Sequence, residues 1–111
     1  AIGSPADGRY AAQAIHDTGG WAAHVSDAEL VEGIRILAED VGVFTETAGG
    51  ATVAAAFALA SEGRLHADDE VVICITGNGL KTVEAVDGAV AQAPLIDARL
   101  REVVSLVSNA A

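Results

Sequence analysis

An α/β domain, with a short and mostly parallel sheet flanked by helices, is the architecture this sequence predicts. Three observations carry that expectation. Val71-Val72-Ile73-Cys74-Ile75 is an unbroken apolar run, mostly β-branched, and the lack of alternation marks a strand covered on both faces. Thr76-Gly77-Asn78-Gly79 ends the run abruptly, and its glycines permit positive φ and close backbone approach. Segments with helical periodicity lie on both sides of it in the sequence. In open parallel sheets ligands bind just past the carboxyl ends of the strands, so Thr76 is the first candidate for a site.

Residues 1–8 read as an entry loop punctuated by Gly3, Ser4, Pro5 and Gly8, with Asp7 placed to cap a helix. A short helix follows over Arg9–Asp17, carrying Tyr10, Ala11, Ala14 and Ile15 on one side and ended by Thr18-Gly19-Gly20. Trp21–Val25 is expected as a short strand, with the single tryptophan packed at the sheet edge. Ser26-Asp27-Ala28-Glu29 matches a capping box, in which the serine oxygen accepts from the N3 amide and the glutamate reaches back. The helix it starts places Leu30, Val31, Ile34, Leu37, Ala38 and Val41 on one face, Glu32, Arg35, Glu39 and Asp40 on the other, and stops at Gly42.

Val43-Phe44 is a brief extended lead to Glu46. Ala48–Ser61 is a helix of small residues suited to close packing. Gly49-Gly50 in its first turn leaves room for a backbone or ligand near the helix's positive end. A glycine in a helix interior costs about 1 kcal/mol relative to alanine, so this pair requires a reason. Glu62–Asp69 is a turn, with Gly63 stopping the helix and His66 solvated. Beyond Lys81 a loop runs to about Asp87, Val90–Ala93 is a short extended piece, and Pro94 opens a final helix bearing Leu95, Ile96, Leu100, Val103, Val104 and Val107.

With 111 residues the chain is expected to form one domain over residues 1–111, with a modest core. Apolar residues are 51% and aromatics only 4%, so that core rests on Val, Ile, Leu and Ala. A net charge of −10 argues against nucleic acid, because six Lys and Arg cannot offset sixteen carboxylates beside a phosphate backbone. The apolar runs are too short to span a membrane, and no signal-peptide pattern opens the chain. Cys74, the single cysteine, is expected as a small buried hydrophobe, in keeping with a cytoplasmic location. His16, His24 and His66 have no ligand spacing, so no metal site is expected.

Thr76-Gly77-Asn78-Gly79-Leu80-Lys81 after an apolar strand, with Phe44-Thr45-Glu46-Thr47-Ala48-Gly49-Gly50 upstream, resembles the C-terminal part of threonine synthase, a fold type II enzyme family that uses pyridoxal phosphate. The resemblance runs from about Ile2 to Lys81. The Ile2-Gly3-Ser4-Pro5-Ala6 segment resembles an Ile-Gly-Asn-Pro-Ala stretch of that family, with Ser4 where Asn is common. The resemblance implies that Thr76 hydrogen-bonds the pyridine nitrogen of the cofactor, with Gly77, Asn78, Glu46, Ala48 and Gly49 close by. It implies conversion of O-phospho-L-homoserine and water to L-threonine and phosphate by the full-length enzyme.

The Schiff-base lysine and the phosphate-cradling loop of the family belong to its N-terminal part. Lys81, the one lysine here, sits in the turn motif and is not assigned as that lysine. The chain is thus expected to lack catalytic residues of its own, to hold no cofactor alone and to be inactive by itself. Its expected partners are the missing N-terminal part, a small-molecule substrate and, through uncovered faces, a second copy in a homodimer. The absence of methionine fits a piece of a longer protein. Threonine dehydratase or another fold type II lyase is one alternative, although those enzymes often carry Ser in place of Thr76. A non-catalytic binding or assembly module with an enzyme-like fold is the other.

Overall fold

The computed structural model describes residues 2–91 and 93–110. Its helices are α1 (Gly8–Thr18), α2 (Asp27–Val41), α3 (Thr47–Ser61) and α4 (Leu100–Ala110), with 3₁₀ turns at Gly79–Lys81 and Val83–Val86. The centre of the fold is the packing of α2 on α3.

Local chemistry explains where α2 begins and ends. Ser26 is extended and its hydroxyl accepts from the Glu29 amide at 3.3 Å, while the Glu29 carboxylate accepts from the Ser26 amide at 2.7 Å, which completes the expected capping box. The Ser26 amide first, and then the Ser26 hydroxyl donating to the same carboxylate at 2.7 Å, hold the Glu29 carboxyl below its ordinary value. At the other end Gly42 takes φ +73°, and its amide donates to the Ala38 carbonyl at 3.1 Å. On the outer face Arg35 pairs with both Glu32 and Glu39. Asp7, by contrast, makes no side-chain cap on α1, because its φ and ψ of −103° and 11° are not the extended conformation a capping side chain needs.

The α2–α3 crossing is a glycine contact. A Cβ on Gly33 would lie 2.4 Å from the Gly50 carbonyl oxygen, and a Cβ on Gly50 would lie 2.4 Å from that of Leu30. The two backbones therefore touch, and Ile34, Val53 and Ala54 are buried beside the contact. Gly50 serves helix packing, the reason its sequence position demanded. Gly33 does the same, and the same propensity argument would have singled it out in the interior of α2.

The expected parallel sheet is corrected. Among the described residues there are no named strands, only an isolated antiparallel bridge between Thr45 and Asn78. Trp21–Val25, Val43–Phe44 and Glu70–Ile75 have no assigned secondary structure. A strand needs a neighbour to take its amides and carbonyls, and residue composition does not supply one. Val72 is accordingly 86% exposed, and Cys74, expected to be buried, is exposed as well. Trp21 is exposed rather than set at a sheet edge, with the Arg64 guanidinium 3.5 Å from its ring centroid.

The final helix also differs from expectation, starting at Leu100 rather than Pro94. Leu95 is fully exposed, so nothing rewards two further turns with burial, and short helices draw most of their stability from packing. The radius of gyration, 18.4 Å, exceeds the roughly 13 Å of a compact chain of this length. The accessible surface of 8641 Å² likewise exceeds the roughly 5,700 Å² expected for such a mass.

Candidate functional site

Two segments 32 residues apart close on each other where α3 begins. The first is Phe44-Thr45-Glu46, which leads into the helix; the second is Gly77-Asn78-Gly79, which leaves the apolar run. The Glu46 amide and the Thr45 hydroxyl both donate to the Gly77 carbonyl, each at 3.1 Å, and the Gly79 amide donates to the Phe44 carbonyl at 3.0 Å. A fourth link follows, from the Thr47 amide to the Thr82 hydroxyl at 3.1 Å. Asn78 turns its side chain inward on its own segment, accepting from the Leu80 amide at 2.9 Å and starting the 3₁₀ turn.

The glycines in this clasp are needed for proximity rather than for turning. Neither Gly77 nor Gly79 has positive φ, which corrects the expected use of that freedom. A Cβ on Gly77 would fall 1.9 Å from the Glu46 carboxylate, and one on Gly79 would fall 2.5 Å from the Phe44 ring. Gly49 obeys the same logic, since a Cβ there would fall 1.9 Å from the Thr45 hydroxyl oxygen. The amides of Gly49 and Gly50 both donate to the Glu46 carbonyl, at 3.0 and 3.1 Å.

Of the six residues the sequence nominates, Glu46, Gly77 and Asn78 meet directly in the clasp. Thr76 immediately precedes it and is exposed. Ala48 is exposed on the first turn of α3, whereas Gly49 is buried under Thr45. Glu46 is only 13% exposed at its side chain and pairs with Lys81 at 2.6 Å, the lysine being 65% exposed. A pair with one arm so open to water contributes about 0–1 kcal/mol, and its main effect is to fix where the carboxylate lies.

Thr45, Phe44 and Thr82 are the residues that sequence reasoning did not single out. Thr45 is fully buried at 0% exposure. Its partners lie more than thirty positions away, beyond the reach of any capping or turn pattern. Among the described residues no group of three or more His, Cys, Asp or Glu could hold a metal ion, and no helix is long and apolar enough to cross a membrane.

Chemically the arrangement offers one exposed neutral hydroxyl, able to donate one hydrogen bond and accept two, on a backbone pinned immediately downstream. The sequence profile of the family described as pyridoxal-phosphate dependent enzyme matches residues 1–77. Among curated proteins the chain is similar to the threonine synthase of Methanocaldococcus jannaschii, 38% identical over 84 residues, or 76% of this chain and 21% of that protein. It is similar to the threonine synthase of Synechocystis sp., 42% identical over 80 residues, which are 72% of the chain and 20% of the relative. The threonine synthase of Methanosarcina acetivorans is 32% identical over 99 residues, 89% of the chain and 24% of the relative. The chain thus spans about a fifth to a quarter of the length of these relatives.

Proposed function

This chain belongs to the pyridoxal-phosphate dependent enzyme family, and on that premise we propose that it is the C-terminal portion of a threonine synthase, converting O-phospho-L-homoserine and water to L-threonine and phosphate. The observation that carries the reading is the clasp, which joins the two motifs that resemble threonine synthase and leaves Thr76 exposed at its edge.

The residues present fit one side of the cofactor. Thr76 would donate a hydrogen bond to the pyridine nitrogen, with Gly77 and Asn78 holding the backbone behind it, Glu46 and Ala48 at the start of α3 completing that wall and Gly49 backing it beneath Thr45. Bound pyridoxal phosphate supplies an electron sink next to the substrate carbon, and the partner of its ring nitrogen tunes that sink. A neutral hydroxyl does not protonate the nitrogen as a carboxylic acid would, so the sink is moderated. Lys81 is tied to Glu46, and the covalent anchor and phosphate cradle would come from the rest of the polypeptide. That remainder would also cover Val71–Ile75, and the isolated chain would be inactive.

Phosphate release from O-phospho-L-homoserine by the complete enzyme tests the reading. Losing one hydrogen bond worth about 0.5–1.5 kcal/mol should lower turnover roughly three- to tenfold in Thr76→Ala, and Thr76→Ser should restore most of it. Unchanged turnover and unchanged cofactor absorption in Thr76→Ala would remove Thr76 from the site.

A further inference from the structure

Thr45 is the most deeply buried polar residue of the clasp, and nothing in the motif chemistry above requires a hydroxyl there. Its side chain donates to the Gly77 carbonyl at 3.1 Å, one residue past Thr76. Its backbone forms the bridge with Asn78. Gly49 leaves the space that its Oγ1 occupies, because a Cβ there would come within 1.9 Å of that oxygen. The Glu46 amide already donates to the same carbonyl, so the Thr45 hydroxyl is a second hydrogen bond to an acceptor that is satisfied without it. Two donors from adjacent residues fix the direction of the carbonyl in the Gly77–Asn78 peptide more narrowly than the Glu46 amide alone, beside the Gly79 amide that holds the next turn to Phe44. Gly77, pressed against the Glu46 side chain, is the one residue between that peptide and Thr76, so a change in the peptide's direction is passed to Thr76 through it.

We infer that Thr45 is a positioning residue, whose buried hydroxyl sets the direction of the Thr76 hydroxyl by fixing the Gly77–Asn78 peptide that follows it. The inference rests on the reading of Thr76 as the partner of the cofactor's ring nitrogen. Thr45 itself touches neither cofactor nor substrate, and its effect passes entirely through Thr76.

A double-mutant cycle in the complete enzyme separates the two claims, reading pyridoxal phosphate affinity by fluorescence titration and the cofactor's absorption maximum, with turnover as a third measure. Thr45→Val keeps the shape and removes the donor, and it should weaken cofactor binding roughly three- to tenfold, the value of one lost hydrogen bond. Thr45→Ser keeps the donor and should restore binding. The Thr45→Val, Thr76→Ala double variant should be no worse than Thr76→Ala alone, because the second change has nothing left to misdirect. Additive losses in the double variant would overturn the inference and make Thr45 a purely structural residue. An effect of Thr76→Ala with none from Thr45→Val would overturn it while leaving the reading of Thr76 intact. No effect of Thr76→Ala would remove that reading first, and the inference with it. If Thr45→Val does not fold, Thr45→Ala beside Thr45→Ser is read by the same criteria.

Discussion

Replacing Gly50 by alanine sets two opposed effects against each other, and the structure decides between them. In an isolated helix the change would stabilise by about 1 kcal/mol through propensity. Here the new methyl would sit 2.4 Å from the Leu30 carbonyl oxygen and 2.6 Å from Ile34 Cγ1, about 1 Å inside ordinary contact at 3.4 Å. The first obstacle is backbone and cannot rotate away, so α2 and α3 must separate. Overpacking of this type costs about 1–3 kcal/mol. Separation also returns part of Ile34 and Val53 to water, where full exposure would cost about 1.5–3 kcal/mol each. The net expectation is a loss of about 1–3 kcal/mol, a fall in melting temperature of about 5–15 °C for a chain of this size. Thermal unfolding followed by circular dichroism measures it, with Thr52→Ala on the exposed face of α3 as a control that should stay within about 0.5 kcal/mol. A Gly50→Ala chain that melts higher than the parent would refute the close helix crossing.

Four further outcomes follow from the same geometry. Ser26→Ala removes the cap of α2 and should cost about 1 kcal/mol of stability in a denaturant titration. Because the Glu29 carboxyl is held below its ordinary value, the stability it adds is fully present above about pH 4.5 and is lost as pH falls through the lowered folded value; Glu29→Gln should abolish that part of the acid dependence, and an unaltered acid profile would contradict the box. Lys81→Ala should leave cofactor attachment in the complete enzyme intact and change stability by no more than about 1 kcal/mol, whereas loss of the cofactor's visible absorption would make Lys81 its anchor. Cys74 should react with a thiol reagent at the rate of a free exposed cysteine in this chain, and at least tenfold more slowly in the complete enzyme, where the rest of the protein would cover the apolar run; equal rates would contradict that cover.

What could be read from the sequence was what neighbours within four residues decide. The Ser26–Glu29 box and the Gly42 stop are local devices, and both stand where their spacing puts them. The bounds of α3 were legible to within a residue, since Glu62 and Gly63 leave no helical continuation. The Val71–Ile75 run has strand composition, but composition names no partner, and the segment lies open. Pro94 marked a helix start that only packing could have sustained. The clasp was invisible for a different reason. Phe44, Thr45 and Thr82 join residues more than thirty positions apart; the close approach expected of the glycines is there, but the sequence could not say that Glu46 and Phe44 are what approach them. Thr76 and the Gly-Asn-Gly turn were nominated by their place after the apolar run, whereas the roles given to Thr76, Glu46, Ala48 and Gly49 came through a resemblance.

The most direct test of the central claim is the nitrogen chemical shift of ¹⁵N-labelled pyridoxal phosphate bound to the complete enzyme, compared between the parent and Thr76→Val. The account predicts the shift of an unprotonated, hydrogen-bonded pyridine in the parent, moving toward that of a free pyridine when the hydroxyl is removed. An identical shift in the two proteins, or one typical of a protonated ring in the parent, would contradict it.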